Sequence, residues 1–209
     1  MPSSTFLNLN KKKQDLFLKA SFQEFSAHDY NSASISEMVR VLNIAKGSVY
    51  QYFENKEDLF FYLVDQSFYE KINFLSDGME SHKTFASWLT NRQQLLLDFD
   101  KKKAMHSKLL ANFYLQKNNP DLRKKYLELK HKEMNHTLKS LDKLSSSFRK
   151  KEDLPLLAYS ILEWESSLGD FAEVSEGKKL SNKAKAAYDS RQIIDNFADM
   201  LSKGIIKGK

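Results

Sequence analysis

A short run of side chains, from Lys46 to Gln51, carries hydrogen-bonding groups that suit the edges of nucleic-acid bases. A lysine ammonium can donate to the acceptors of guanine, and a glutamine amide can pair with adenine. Lys46, Ser48 and Gln51 are therefore candidate contacts to base edges or to phosphates. The alternative is that these three polar side chains are simply solvated, as most are on protein surfaces.

The same run contains a glycine and two tyrosines with related potential. Gly47 lacks a side chain, so its backbone can approach another molecule closely; otherwise it is only an irregularity at a helix start. Tyr50 and Tyr52 carry hydroxyls that suit phosphate oxygens. For both tyrosines the alternative is packing of the ring against the first helix of the domain, and for Tyr52 this alternative is equally good.

Three further polar residues lie at predicted helix starts on either side of this run. Ser34 and Ser36 can present a hydroxyl or an N–H group to a phosphate. Ser34 also forms the pattern of a capping box with Glu37, so its role can be limited to capping the start of the helix. Lys56 opposes the dipole of the helix that it opens, and this mild cost favours a role in phosphate binding.

Two short helices and a tight turn position these side chains. The first helix, ending at Leu42, has an apolar face at helical spacing, and its members are Ile35, Met38, Val39 and Leu42. Asn43 suits the left-handed conformation that ends a helix in a tight turn. A second helix follows from Lys46 to Phe53, with Val49 and Phe53 facing inward beside Ile44. This is the layout of a helix-turn-helix.

The rest of the chain also has helical periodicity and only 6 Gly and 3 Pro residues, which predicts an all-α fold of about nine helices without strands. Residues 1–8 are expected to be a loose tail. The N-terminal helix of the chain is predicted from Asn10 to His28, with an apolar face that includes Leu16 and Phe17. The last helices are predicted near residues 155–174 and 189–206.

Residues 35–59 resemble the TetR family of bacterial transcriptional regulators. The resemblance rests on Ile35, Met38 and Val39, on the run Ile44–Phe53, and on Asn55–Leu59. These match the family's Ile-Ala start, its Val-Ser-x-Gly-Thr-Leu-Tyr run with an aromatic finish, and its Lys-Glu-x-Leu opening of the next helix. Two positions depart from the pattern, since Asn43 replaces the usual Gly and Val39 the usual Ala.

The resemblance implies a homodimer in which each subunit places the helix at 46–52 in a major groove of double-stranded DNA. It implies a helix-turn-helix domain over residues 1–55 and a helical effector-binding and dimerisation domain over residues 56–209. The symmetry of the dimer then requires a palindromic operator. The leading hypothesis is a repressor that a small-molecule effector releases from DNA. The alternative is a ligand-independent DNA-bound dimer that organises the nucleoid or binds proteins.

The effector and the dimer interface are less well specified by sequence. Helix-borne aromatic residues can line a pocket between helices, and the candidates are Trp88, Phe113, Tyr114, Tyr159 and Trp164. Aromatic residues at such spacing are more often plain core. The apolar stripes of the segments at 155–174 and 189–206 predict that these two helices form the interface of the homodimer, as a four-helix bundle.

Several other classes of function lack support in the sequence. There is no cysteine, no apolar run of the length that spans a membrane, and no secretion signal at the N-terminus, so a cytoplasmic protein is expected. No phosphate-binding loop, nucleophile elbow or dinucleotide motif occurs, which argues against an enzyme and against a cofactor. Glu128, His131 and His136 do not share one helical face, so no metal site is predicted.

The net charge of +6 is unevenly distributed along the chain. Residues 1–60 hold 7 Lys or Arg and 7 Asp or Glu, whereas residues 101–151 hold 15 and 4, an excess of +11. The DNA-reading segment is thus not basic in bulk, and its affinity depends on a few placed groups. The lysine excess can be a solvated surface, can attract an anionic ligand, or can steer the protein toward DNA.

Overall fold

The computed structural model of the protein describes residues 1–79, 82–144, 148 and 151–177. Within those residues the chain forms nine α-helices and a short 3-10 turn at Lys151–Asp153, which confirms the predicted all-α fold. The predicted helix at 189–206 lies outside the described residues. The helices are α1 (Ser4–Leu7), α2 (Lys11–Ala27), α3 (Ile35–Leu42), α4 (Lys46–Tyr52), α5 (Lys56–Gly78), α6 (Phe85–Lys102), α7 (Ala104–Leu115), α8 (Pro120–Asp142) and α9 (Leu154–Gly177).

The helices belong to two compact units. Residues 1–76 and 97–129 form unit 1, and the described residues of 77–96 and of the chain from 130 onward form unit 2. The boundary between the units passes through the last turn of α5 and through α6 and α8. The predicted division of the chain after residue 55 concerns function rather than compactness, and it stays a prediction.

The core of unit 1 is rich in aromatic side chains that join distant helices. Phe60 of α5 lies 5.3 Å from Phe25 of α2 and 6.1 Å from Phe113 of α7, measured between ring centroids. The α7 residue Asn112 donates hydrogen bonds from its amide to the carbonyl oxygens of Ser26 and His28, at 3.1 and 3.4 Å. These bonds satisfy carbonyl groups at the C-terminal end of α2, which its own helix leaves without partners.

The N-terminal residues are part of this core, so the prediction of a loose tail is wrong. Ser3 caps α1, because its hydroxyl accepts from the N–H of Phe6 at 3.3 Å. The Phe6 side chain is only 1% exposed and packs 5.5 Å from the ring of Phe17. A four-residue helix is too short to be visible as a periodic pattern, whereas a single buried phenylalanine suffices to hold it.

The predicted apolar face of α2 also needs one correction. Phe17 and Phe25 are buried, but Leu16 is 52% exposed. The buried positions of α2 follow a spacing of three and four residues from Phe17, and Leu16 lies one step of 100° away from that face. Leu16 is therefore a surface residue, which is common for single leucines.

Unit 2 has a separate core on α6, α8 and α9. Trp88 of α6 is 2% exposed, and its indole N–H donates to the hydroxyl of Ser140 on α8 at 2.8 Å. Leu157 and Ile161 of α9 are 1% and 0% exposed in the same cluster. Both side chains belong to the apolar stripe of the segment at 155–174 that the sequence predicts as a dimer interface. They are instead buried inside their own subunit.

Candidate nucleic-acid interface

The start of α3 is fixed by Ser34 together with a residue of another helix. The Ser34 hydroxyl accepts from the N–H of Glu37 at 3.3 Å, as the capping pattern predicts. The reciprocal bond comes from Glu24 of α2, whose carboxylate accepts from the N–H of Ser34 at 2.7 Å. Glu37 instead bonds Arg40 at 2.9 Å. The predicted capping box is thus half correct, because its second arm belongs to α2.

Asn43 ends α3 in the left-handed conformation that the sequence predicts. Its backbone angles are φ 52° and ψ 46°, a region that asparagine tolerates better than most residues. The next residue, Ile44, is half-buried against the unit 1 core, and its N–H donates to the carbonyl of Val39 at 3.2 Å. The N–H of Asn43 also donates to the carbonyl of Arg40, at 3.3 Å, so backbone bonds and one apolar side chain close the turn.

The helix that follows, α4, separates a buried side from an exposed side. Val49 and the next residue after the helix, Phe53, are each 1% exposed. Lys46, Gly47 and Gln51 are exposed, and Tyr50 is 48% exposed. The polar residues of α4 thus form an outward surface, which we call the reading face, and it consists of Lys46, Gly47, Ser48, Tyr50 and Gln51.

Ser48 and Ser36 differ in how far they reach solvent. Ser48 is half-buried near the start of α4, and its N–H donates to the carbonyl of Ala45 at 2.9 Å. Ser36 is exposed in the first turn of α3, one residue after the buried Ile35. Ser36 is thus open to solvent, and Ser48 is only partly so.

Tyr52 packs inside the protein through its ring. The ring lies 5.3 Å from that of Phe17 in a T-shaped pair and 5.8 Å from that of Phe6. The side chain is half-buried. The alternative considered for Tyr52, packing against the first long helix, therefore describes its ring, while its role in DNA binding stays a prediction.

Lys56 has partners of its own within unit 1. Its ammonium donates to the carbonyl of Asn31 at 3.2 Å and lies 4.9 Å from the ring centroid of Tyr30. Burial lowers the pKa of Lys56, against the attraction of Asp29 and Glu24, which raises it. The helix that Lys56 opens is capped as predicted by Asn55, whose side chain accepts from the N–H of Asp58 at 2.8 Å.

One element behind the reading face was not visible in the sequence. The backbone N–H and the hydroxyl of Ser3 donate to the carbonyl oxygens of Tyr52 and Gln51, at 2.8 and 2.6 Å. Ser3 therefore satisfies two carbonyl groups at the C-terminal end of α4. The sequence carries only a faint indication of this, namely a serine three residues before an isolated Phe6.

The five aromatic residues predicted to bind an effector are divided between the units. Phe113 and Tyr114 are in unit 1, where Phe113 is fully buried at 0% exposure. Trp88, Tyr159 and Trp164 are in unit 2. Trp88 is core and Trp164 packs partly against that core, whereas Tyr159 is 57% exposed. Burial of Trp88 and Phe113 agrees with the alternative that these aromatic residues are core.

A buried ion pair on α6 and α9 is a second feature that sequence reasoning missed. The side chain of Arg92 is 0% exposed and binds both carboxylate oxygens of Glu165, at 2.7 and 2.9 Å. The amide of Gln93 donates to the same carboxylate at 2.8 Å. Burial alone would lower the pKa of Arg92, but the attraction of Glu165 and its hydrogen bonds outweigh burial and raise it.

Two buried polar atoms near this pair lack a hydrogen-bond partner among the residues that the structure describes, namely Arg92 Nη1 and Thr137 Oγ1. Thr137 lies one helical turn after Glu133, whose charge acts on Arg92. It lies nearly one turn before Ser140, which bonds Trp88. The register of α8 therefore places Thr137 on the face that meets α6. A buried donor without a partner costs about 1–3 kcal/mol.

The described residues contain no group of three or more His, Cys, Asp or Glu side chains placed to hold a metal ion. Within the same residues, no helix combines the length and the apolarity that crossing a bilayer requires.

Comparison with known proteins identifies one matching family model and two related regulators. Residues 17–63 match the sequence model of the bacterial regulatory proteins of the tetR family. The chain is 28% identical over 92 residues to YuxN, an uncharacterized HTH-type transcriptional regulator of Bacillus subtilis strain 168. It is 27% identical over 118 residues to DhaS, the HTH-type transcriptional activator of the dhaKLM operon in Lactococcus lactis strain IL1403.

These matches cover only part of each protein. The alignment with YuxN covers 42% of this chain and 32% of the relative, and that with DhaS covers 56% and 58%. Among solved structures, a TetR family transcriptional regulator from Chloroflexus aurantiacus J-10-FL aligns over 100% of both chains, with a TM-score of 0.67 and 21% identity. That likeness concerns the fold.

Proposed function

We propose that this chain, which belongs to the TetR family of bacterial regulatory proteins, is a transcriptional regulator that reads a palindromic DNA operator with α4. The observation that carries the proposal is the reading face itself. Three exposed polar side chains, the exposed Gly47 and the half-buried Ser48 lie on a helix whose other side is fixed by Val49 and Phe53, each 1% exposed. Such a helix fits the major groove and holds its side chains in a fixed register.

Gly47 supports the proposal independently of the polar side chains. A Cβ atom added at Gly47 would meet no other atom of the described chain within 4 Å, so internal packing does not require glycine there. Glycine inside a helix costs about 1 kcal/mol relative to alanine. Close approach of a duplex to the backbone at Gly47 is a reason for that cost that the chain itself does not supply.

We assign different contacts to different residues of the interface. Lys46, Ser48 and Gln51 are proposed to bond base edges, and Tyr50 a phosphate. Ser34 and Ser36 are proposed to meet the phosphate backbone at the start of α3. Tyr52 and Lys56 already have the internal partners described above, so any contact of these two with DNA is proposed to use the Tyr52 hydroxyl and the remaining N–H groups of the Lys56 ammonium.

The palindromic operator follows from a homodimer, which is part of the proposal. Two copies of α4 related by a two-fold axis read two half-sites separated by about one helical turn of DNA, roughly 34–36 Å. We propose that the interface uses α9 and the segment at 189–206. Leu156 and Tyr159 of α9 are 69% and 57% exposed, an unusual state for large apolar side chains three residues apart on one helix face.

We further propose that a small-molecule effector bound in unit 2 releases the protein from DNA, so that the protein acts as a repressor. The buried Arg92 Nη1 and Thr137 Oγ1 support this, because a ligand with a hydrogen-bond acceptor would supply the partner that the described residues lack. The effector must favour the DNA-incompetent state. DhaS is named as an activator, so the sign of regulation needs its own measurement.

The rival proposal is a ligand-independent DNA-bound dimer, and a specific observation favours it. Trp88 and Phe113, both expected in an effector pocket, are 2% and 0% exposed in the two cores. A Thr137→Val variant separates the proposals, since it removes the hydroxyl and keeps the shape. A changed response to a releasing ligand, with unchanged operator affinity, supports the effector site. Failure of every compound in a metabolite collection to release the operator supports the rival.

The proposed reading of DNA is tested by selecting bound duplexes from a random pool and measuring the affinity of variants for the selected site. Lys46→Ala and Tyr50→Ala should each weaken specific binding by about 5- to 150-fold, which corresponds to roughly 1–3 kcal/mol. Lys19→Ala, which removes an exposed lysine of α2, is the charge-matched control and should bind as the wild type does. Unchanged specific binding in both α4 variants would refute the assignment.

A further inference from the structure

The reading helix is intrinsically weak. It has only seven residues, and its N-cap position, Ala45, makes no side-chain hydrogen bond to the first turn. Gly47 adds a further cost, and isolated helices of fewer than about 12 residues are marginal in water. The conformation of α4 must therefore be fixed by groups outside it.

The C-terminal end of α4 shows which groups these are. Phe53 leaves the helix in an extended conformation, with φ −135° and ψ 141°, so the chain does not curl back to satisfy the last carbonyl groups. The carbonyls of Gln51 and Tyr52 accept instead from the hydroxyl and the N–H of Ser3, at 2.6 and 2.8 Å. Residues far apart in the chain thus complete the end of the reading helix.

The segment that supplies these donors is itself anchored in three ways. The Ser3 hydroxyl also accepts from the N–H of Phe6, which closes α1. The ring of Phe6 lies 5.2 Å from that of Phe53 and is 1% exposed. The amide of Gln14, on α2, donates to the carbonyl oxygens of Phe6, Leu7 and Leu9 at 3.2, 3.0 and 3.1 Å. Residues 6–9 are consequently held against α2, and through them Ser3 is fixed at the end of α4.

We infer that residues 3–9 are a brace that sets the position of α4 on DNA, with Ser3 as the positioning residue. This inference rests on the proposed function, because it matters only if α4 reads bases. Base-edge hydrogen bonds depend on placement within a few tenths of an ångström, whereas attraction to phosphates tolerates a shift. Loosening the brace therefore reduces discrimination between operator and random DNA more than it reduces non-specific binding.

The opposing possibility is that this segment touches DNA directly. Residues 1–9 contain no lysine and no arginine, so they add no side-chain cation that could displace counterions from phosphates. A brace and a direct contact then differ in measurable ways. Loss of a brace lowers operator affinity without changing non-specific affinity, whereas loss of a backbone contact lowers both.

The experiment uses the full chain with Ser3→Ala, Ser3→Thr and, as the matched control, Ala at the neighbouring exposed Ser4. Ser3→Ala removes both the donor to the carbonyl of Gln51 and the acceptor for the N–H of Phe6. It should weaken operator binding by about fivefold, the equivalent of the one ordinary hydrogen bond that is lost at α4. Non-specific affinity and the slope of affinity against salt should stay as in the wild type. Ser3→Thr, which keeps a hydroxyl, should restore most of the operator affinity, and Ser4→Ala should have no effect.

Hydrogen exchange of the α4 amides gives a second readout that needs no DNA. Ser3→Ala should speed exchange in α4 severalfold and leave exchange in α2 unchanged. Equal exchange in Ser3→Ala and Ser4→Ala, or equal operator affinity in the two, overturns the brace. An equal loss on operator and random DNA overturns it in favour of direct contact. Lys46→Ala, measured alongside, keeps the two proposals apart. Unchanged operator binding in Lys46→Ala would contradict the reading of DNA by α4, whereas it would say nothing against the brace.

Discussion

The two helices of the helix-turn-helix are specified in different ways, although they are only three residues apart. α3 carries its own start in Ser34, its own end in Asn43, and a buried face of Ile35, Met38 and Val39. α4 has no side-chain cap at its start and one buried residue, Val49, within its seven. Its position depends on Phe53 beyond its end and on Ser3 from the other side of the core.

This difference shows how a recognition element can be exposed and still be ordered. A helix that stabilises itself needs apolar positions on about a third of its surface and capping residues at its ends. α4 leaves most of its positions to polar side chains, because the surrounding unit supplies the burial and the caps. The comparison predicts that changes behind α4 act on stability, and that changes on its face act on recognition.

The largest effect is expected where α4 is anchored. Phe53→Ala should lower the free energy of unfolding by about 3–5 kcal/mol, since the ring is 1% exposed and stacks 5.9 Å from that of Phe17. Urea denaturation measures this loss. The comparison variant is Tyr50→Ala, whose ring is 48% exposed on the reading face and should cost less than about 0.5 kcal/mol. Similar losses in the two variants would contradict the division of roles within α4.

Ser34 should contribute an intermediate amount to stability. Ser34→Ala removes the acceptor for the N–H of Glu37, at 3.3 Å, and should cost about 1 kcal/mol, measured by the same unfolding transition. Ser36→Ala is the control in the same helix, because Ser36 is exposed. If Ser36→Ala lowers the free energy of unfolding as much as Ser34→Ala does, then the Ser34 cap is not what stabilises α3.

Gly47 should separate stability from recognition by changing them in opposite directions. Gly47→Ala meets no atom within 4 Å of the new Cβ, so it should raise the free energy of unfolding by about 0.5–1 kcal/mol. The same change should weaken operator binding, because the added methyl group faces the duplex. Calorimetry measures the change in stability, and binding assays on the same preparation measure the change in operator affinity. A stabilised variant with full operator affinity would contradict the close approach of DNA to the backbone at Gly47.

The smallest expected effect repairs the weakness at the start of α4. Ala45→Ser should supply the side-chain cap that α4 lacks and raise the free energy of unfolding by about 0.5 kcal/mol. It would make α4 resemble α3 in this respect. Thermal denaturation detects the gain, with Ala45→Val, which offers no hydroxyl, as the control. No difference between these two substitutions would mean that the start of α4 is already satisfied by solvent.

Local pattern was enough to predict α3, the turn at Asn43 and the separation of inward from outward residues in α4. These features are encoded by neighbours three or four positions apart in the chain, which a sequence displays directly. The partners of Ser3 and Glu24 were not predictable in this way. The Ser3 hydroxyl bonds a carbonyl 48 positions away, and no periodicity connects the two.

In unit 2, too, contacts between residues far apart in the chain could not be predicted from the sequence. Glu165 and Arg92 are 73 positions apart, and each taken alone looks like an ordinary surface charge. Leu157 and Leu156 are adjacent leucines, yet one is 1% and the other 69% exposed. An apolar stripe identifies a helix face that will be covered, but it does not say whether the cover comes from the same subunit or from a partner.

The bond from Glu24 to the N–H of Ser34 has a consequence for protein engineering. The acceptor arm that closes the start of α3 belongs to α2, at 2.7 Å from the donor. A graft of residues 34–53 onto another scaffold would therefore leave one end of the motif open, even if every residue that faces DNA were transferred. A segment for grafting therefore has to include α2, which carries Glu24. Recognition specificity is better changed by replacing side chains of α4 within this protein.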